Sequence, residues 1–243
     1  RISPNEETFI YLLKACGSIA AIDEGTRVHD EIANRAFLEK SIAVGNALID
    51  MYAKCGAFQK AEAIFDELLI RTVVSWTSLI SGYAQHGHGE KALEYFDKMQ
   101  HEGLSPNEVT LLCSLKACSS IGAIDKGIEM HTQIVREGLH EKYSSIANAL
   151  VDMYAKCGEV EKAQAVFDDL PFHDMVSWNA LIAGYIDNGL SDKALIWLDK
   201  MQENLVPFDA ITCISWLCIC VDEKDIQNGH EIYGEVIKKG FEN

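Results

Sequence analysis

The sequence predicts an all-α fold, an α-solenoid built from tandem helix-turn-helix repeats, on three observations. The first is self-similarity at an offset of 102 residues: residues 46–56 (NALIDMYAKCG) and 148–158 (NALVDMYAKCG) match at ten of eleven positions. The same offset relates Trp76 to Trp178, Leu13-Lys14-Ala15-Cys16 to Leu115-Lys116-Ala117-Cys118, Asp97-Lys98-Met99-Gln100 to Asp199-Lys200-Met201-Gln202, and Thr8 to Thr110 to Thr212. The second is that the 102-residue unit is itself threefold, with pieces of 35 residues (73–107), 36 (108–143) and 31 (144–174). The third is that each piece holds two short amphipathic patterns separated by a glycine or a polar turn. Two such helices cannot bury their apolar faces alone, so neighbouring pairs must stack.

The repeats run in order over residues 6–41, 42–72, 73–107, 108–143, 144–174, 175–209 and 210–243, the last one partial. The helical pattern is plainest in 73–107. Trp76, Leu79, Ile80 and Tyr83 fall at i, i+3, i+4 and i+7, one face of a helix. After a turn near Gly87 and Gly89, Ala92, Leu93, Phe96 and Met99 repeat that face, and Gly103 and Pro106 close the second helix. The repeat at 175–209 copies this design. The pieces at 42–72 and 144–174 carry the NALxDMYAKCG segment, and those at 6–41, 108–143 and 210–243 share the Cys16, Cys118, Cys220 series.

Composition narrows the function. Hydrophobic residues make up 48% and charged residues 24%, as in well-packed soluble proteins. No run of about 18 apolar residues occurs, so no membrane span is expected. The opening residues lack signal-peptide or transit-peptide character and read as a repeat cut open, so the chain is expected to be an excerpt. The net charge of −16 is the wrong sign for a protein that binds nucleic acid mainly by neutralising phosphates. Counted over the expected first helices alone, however, the charges cancel, which assigns the acidity to second helices and connections. The expected groove is neutral, with a few lysines such as Lys54, Lys116 and Lys156. The eight cysteines form no Cys-x-x-Cys pair and recur at equivalent places, as small apolar packing residues do. No metal site, cofactor, small-molecule substrate or catalytic constellation is expected: Asp168-Asp169 and Glu6-Glu7 fall on solvated positions, and no strand precedes a glycine-rich phosphate loop.

The cycle of 35, 36 and 31 residues resembles the PLS subclass of plant pentatricopeptide repeat proteins. VSWNALIAGY (176–185) resembles its P motif. NALVDMYAKCG with Ala163, Val166, Phe167 and Asp168 resembles the S motif, and LKACSSIGAIDKG (115–127) followed by His131 the L motif. Tetratricopeptide repeats, with a near-constant 34-residue period, do not give this three-length cycle. The resemblance implies a right-handed superhelix whose first helices line a groove for single-stranded organellar RNA. It also implies that each base is read by the fifth residue of a repeat together with the last.

On that resemblance the base-coding pairs are Asn46 with Thr72, Thr77 with Asn107, Asn148 with Asp174, and Asn179 with Asp209. Asn offers a donor and an acceptor that match uracil N3–H and O4, Thr leaves room for a purine, and Asp, acceptor-only, orients the Asn amide or bonds through water. The four pairs then read a pyrimidine weakly, adenine, uracil and uracil. The L-type fifth residues Ile10, Leu112 and Ile214 cannot bond a base edge. Val74, Val109, Val176 and Ile211, at second positions, are expected to clamp base faces.

Plainer roles compete with these. Thr72, Asn107, Asp174 and Asp209 stand just before a helix, where each residue type is a good N-cap. Trp76 and Trp178 share a face with Leu79 and Leu181 and are expected to pack, and His29 and His131 to be structural. Many PLS proteins resemble C-to-U editing factors ending in a deaminase-like zinc domain. The Cys-x-x-Cys half of its His-x-Glu and Cys-x-x-Cys signature does not occur here, so this segment is not expected to be an enzyme. The function expected is RNA recognition for an organellar editing factor, in the mitochondrion or chloroplast. The alternative is a scaffold for protein partners such as accessory editing factors, bound through the L-type repeats.

Overall fold

A computed structural model describes residues 4–35, 37, 38 and 41–223. The second half of the repeat at 210–243 lies outside the described residues. Among the described residues all regular structure is helical, and the chain divides into two compact units, 1–121 and 122–243.

The first unit holds α1 (Glu6–Ser18), α2 (Ile22–Asn34), α3 (Ile42–Lys54), α4 (Phe58–Glu67), α5 (Val73–Gln85), α6 (Gly89–His101) and α7 (Glu108–Ile121). The odd-numbered helices stack in sequence, α1 on α3, α3 on α5 and α5 on α7. Each of α2, α4 and α6 packs against the helix before it and the helix after it. This is the layered arrangement of a solenoid, in which every pair is buried by its neighbours. The second unit holds α8 (Ile124–Arg136), the one-turn α9 (Leu139–Lys142), α10 (Ser144–Lys156), α11 (Val160–Asp168), α12 (Met175–Asp187), α13 (Ser191–Glu203) and α14 (Ala210–Glu223). There α10, α12 and α14 stack in the same way, with α11 and α13 packed beside them. The helices that open repeats start at Glu6, Ile42, Val73, Glu108, Ser144, Met175 and Ala210, each the first residue of a repeat delimited above.

The reasons for these helices are local. In α5, Trp76, Leu79, Ile80 and Tyr83 are all buried, and so are Trp178, Leu181, Ile182 and Tyr185 in α12. The tryptophans are packing residues: Trp76 meets Phe65 edge-on, and Trp178 meets Phe167 edge-on. Glycine matters most where first helices cross. A Cβ on Gly82 would run into the side chain of Ala53, and one on Gly184 into that of Ala155, so the bare backbone lets adjacent first helices touch. Two turns place a residue other than glycine in the left-handed region, Ala20 (φ 53°) and Leu205 (φ 57°), whereas their counterparts 102 residues away are Gly122 and Gly103.

His29 and His131 hold the repeats together. Each ring nitrogen Nδ1 meets a tyrosine hydroxyl of the next repeat, Tyr52 at 2.9 Å and Tyr154 at 2.8 Å. Burial, the main cause, lowers the pKa of both histidines. All eight cysteines are free thiols, with Cys16, Cys118 and Cys220 buried. No helix among the described residues is long and apolar enough to cross a membrane.

Candidate nucleic-acid interface

The helix period fixes what the first turn of each opening helix can present. Residues two and five of a repeat are three apart and share a face, while residue three turns inward. The second residues Val74, Val109, Val176 and Ile211 are each more than half exposed. The fifth residues Asn46, Thr77 and Asn148 are half-buried, and Asn179 is buried. Of the L-type fifth residues, Ile214 is exposed, whereas Ile10 and Leu112 are half-buried.

Three of the four expected pairs come together. The Asn148 amide nitrogen donates to both carboxylate oxygens of Asp174, at 3.3 and 3.4 Å. The Asn179 amide nitrogen donates to Asp209 Oδ1 at 3.0 Å, and the Thr212 hydroxyl donates to Asn179 Oδ1 at 2.8 Å. The Asn46 amide nitrogen reaches Thr72 Oγ1 at 3.4 Å, while Ser75 Oγ donates to Asn46 Oδ1 at 2.7 Å. Thr77 and Asn107 share no bond. Thr110 stands between them, its hydroxyl 2.7 Å from Thr77 Oγ1 and donating to Asn107 Oδ1 at 2.9 Å.

The last residues of the repeats are also helix caps. Asp174 accepts from the Ser177 amide at 2.8 Å, Asp209 from the Thr212 amide at 2.8 Å, and Asn107 from the Thr110 amide at 2.9 Å. Thr72 forms a capping box with Ser75. Capping and contact with the fifth residue therefore coexist on one side chain in Asp174 and Asp209. Burial of Asp209 acts to raise its pKa, but bonds from the Thr212 amide and hydroxyl, the Asn179 amide and the Ile211 amide together pull it below the ordinary carboxylate value. The carboxylate stays ionised at neutral pH. Its acceptor-only chemistry turns the Asn179 nitrogen toward it.

In the second unit these groups share one space. A cleft of about 620 Å3 is lined by Asn148, Asp152, Asp174, Val176, Asn179 and Ile211, together with the small residues Ala149, Ala180 and Ala183. It offers amide and carboxylate groups together with apolar side chains. That combination suits a flat heterocycle with a polar rim.

Sequence reasoning missed the third residues. Ser75, Thr110 and Thr212 each bond a fifth residue of the preceding repeat. The recurrence of Thr8, Thr110 and Thr212 was the signal for two of them. Two electrostatic expectations are corrected. The first helices are acidic rather than neutral, because Glu6, Glu108, Asp222 and Glu223 fall within α1, α7 and α14; the positive end of the helix dipole favours the acids at Glu6 and Glu108. Lys54 and Lys156 are not free cations, because they pair with Asp50 and Asp152 one turn earlier, each at 2.7 Å. Lys116 is exposed.

Comparison with known proteins fixes the family. A PPR repeat family model matches residues 71–120, and a PPR repeat model matches 46–72, 145–173 and 176–204, together more than half of the chain. The chain belongs to the pentatricopeptide repeat family. Among its PPR relatives in Arabidopsis thaliana is the pentatricopeptide repeat-containing protein At4g25270, chloroplastic, 38% identical over 97% of this chain and 44% of its own length. Another is the putative pentatricopeptide repeat-containing protein At3g13770, mitochondrial, 37% identical over 96% of this chain and 37% of its own length. The chain thus spans less than half the length of these relatives. Among solved structures it is similar to PPR10 in complex with an 18-nt psaJ RNA element, at 20% identity and a TM-score of 0.45 over 98% of this chain and 46% of the other.

Proposed function

We propose that this PPR chain binds single-stranded RNA, one base per repeat, as the recognition module of an organellar C-to-U editing factor of the PLS type, and that the segment catalyses no reaction itself. The observation that carries this is the cleft in which Asn148, Asp174 and Asn179 stand beside exposed Val176 and Ile211, with Asn148 bonded to Asp174 and Asn179 bonded to Asp209. A base between these two exposed aliphatic side chains would be clamped on its faces. Asn179 keeps one amide proton and one oxygen lone pair after its bonds to Asp209 and Thr212, enough to meet uracil O4 and N3–H. The relatives named for the chloroplast and the mitochondrion favour an organellar address.

Read along the chain, the repeats prefer any base, a pyrimidine weakly, A, any base, U, U and any base. The test is Asn179→Thr, which removes the uracil-pairing amide and opens space beside the retained Asp209. Binding is measured to RNAs differing only at that base, at one fixed low salt, since phosphate contacts shift affinity with ionic strength. Preference there should change from U to G by about fivefold, the worth of roughly 1 kcal/mol of matched hydrogen bonding, with the other bases read as before. If wild type and variant both treat all four bases alike, Asn179 and Asp209 serve as packing and cap. In that case exposed Ile214 points instead to a scaffold that binds accessory proteins.

A further inference from the structure

We propose that Ser75, Thr110 and Thr212, each the third residue of its repeat, are positioning residues for base reading by the repeat before them, so that Asn179 reads its base more strictly than Asn148 does. This rests on the base-reading role proposed above.

The third residue of every repeat with a repeat before it is fully buried: Val44, Ser75, Thr110, Ile146, Ser177 and Thr212. Burying a hydroxyl without a partner is costly, so each polar one needs an acceptor nearby. Ser75 and Thr212 find one on the fifth residue of the preceding repeat, at 2.7 and 2.8 Å, with Asp209 Oδ1 also 2.9 Å from the Thr212 hydroxyl; Thr110, which donates to Asn107 Oδ1, meets the hydroxyl of its preceding fifth residue, Thr77, at 2.7 Å. The sequence obeys the same rule where the fifth residue is apolar: Ile10 and Leu112 are followed, at the third place of the next repeat, by Val44 and Ile146. Polar goes with polar and apolar with apolar.

Ser177 is the exception. Its hydroxyl donates to the backbone carbonyl of Asp174 at 2.7 Å, inside its own helix start. Asn148 is therefore held by Asp174 alone, through two long bonds at 3.3 and 3.4 Å. Asn179 is held at both ends of its amide, by Asp209 on the nitrogen and Thr212 on the oxygen. A base that demands the opposite donor–acceptor order must turn that amide over. At Asn179 the turn breaks two good bonds, and at Asn148 it strains two weak ones. The same Asn–Asp pair thus reads with different stringency, set by a residue that never touches the base.

The test compares Thr212→Val, Thr212→Ser and Ser177→Ala in this chain, scored as the ratio of affinities for RNAs carrying U or another base at each site. Thr212→Val should cut the U preference at the Asn179 base by about threefold to tenfold, the range of one net hydrogen bond, and leave the Asn148 base as it was. Thr212→Ser should restore it, and Ser177→Ala should leave the Asn148 preference unchanged. An unaltered ratio in a Thr212→Val protein of wild-type helicity and melting overturns the proposal, as does an equal loss from Ser177→Ala. If Thr212→Val does not fold, Ser75→Ala is scored at the Asn46 base in the same way, and an unaltered ratio there is equally fatal. Asn179→Thr separates the two levels. If it also changes no preference, base reading itself has failed; if it changes preference while Thr212→Val does not, only the positioning role has.

Discussion

Residues 42–107 and 144–209 are two copies of one design, and they differ in instructive places. Residues that hold helices together repeat: Trp76 and Trp178, Leu79 and Leu181, Gly82 and Gly184, Tyr83 and Tyr185, all buried. At the mouths of the opening helices Asn46 and Asn148 repeat, but three other positions do not: Thr72 becomes Asp174, Thr77 becomes Asn179 and Asn107 becomes Asp209. Capping alone would accept the same residue in both copies, since Thr, Asn and Asp all cap well. A second constraint acts on these positions and is different in each copy. The shared positions should therefore respond alike to substitution, and the divergent ones unequally.

The largest effect is expected at the shared glycines. Gly82→Val drives its side chain into Ala53, and Gly184→Val into Ala155, between first helices that touch through bare backbone. Each should cost about 2 to 3 kcal/mol by overpacking, seen as a lower urea midpoint. Sensitivity in one copy alone would mean that the two packings are not equivalent.

This division explains what the sequence made legible. Repeat starts and core positions follow from the period and the 102-residue offset, because buried positions admit few residue types and so repeat visibly. The expected Asn–Asp contacts rest on the family resemblance, and two of them form. Thr77 and Asn107 do not meet, because Thr110 is long enough to bond both and lies between them. A third-position hydroxyl carries no amphipathic signal of its own, so its partner could be seen only once adjacent helices were stacked. The salt bridges of Lys54 and Lys156 are legible in the sequence from their i, i+4 acids, Asp50 and Asp152.

A middle-sized and unequal effect is expected at the divergent carboxylates. Asp174→Ala removes an N-cap and should cost about 1 kcal/mol. Asp209→Ala removes a cap and also leaves the buried Asn179 amide without its partner, for about 2 kcal/mol. Because the pKa of Asp209 in the folded protein lies below its ordinary value of 3.8, its contribution is full above that pH and is lost as pH falls through the lowered value. The stability gap between wild type and Asp209→Ala should thus hold from pH 7 to about 4 and narrow below. A gap that does not change on acidification would show that the carboxylate charge plays no part.

The smallest effect is a gain, at the two turns where the copies disagree about glycine. Ala20 and Leu205 sit in the left-handed region that Gly122 and Gly103 occupy in the equivalent turns. A side chain there costs about 1 to 2 kcal/mol, and glycine returns part of that through the freedom it adds to the unfolded chain. Ala20 is exposed and Leu205 is 89% exposed, so neither substitution sacrifices buried surface. Ala20→Gly and Leu205→Gly should each stabilise by about 0.5 kcal/mol, and the reverse changes, Gly122→Ala and Gly103→Leu, should each cost a similar amount. Thermal or urea unfolding of the four variants checks this. A loss in either glycine variant would mean that the side chain at that turn contributes something its exposure does not suggest, and that the two copies differ there in more than strain.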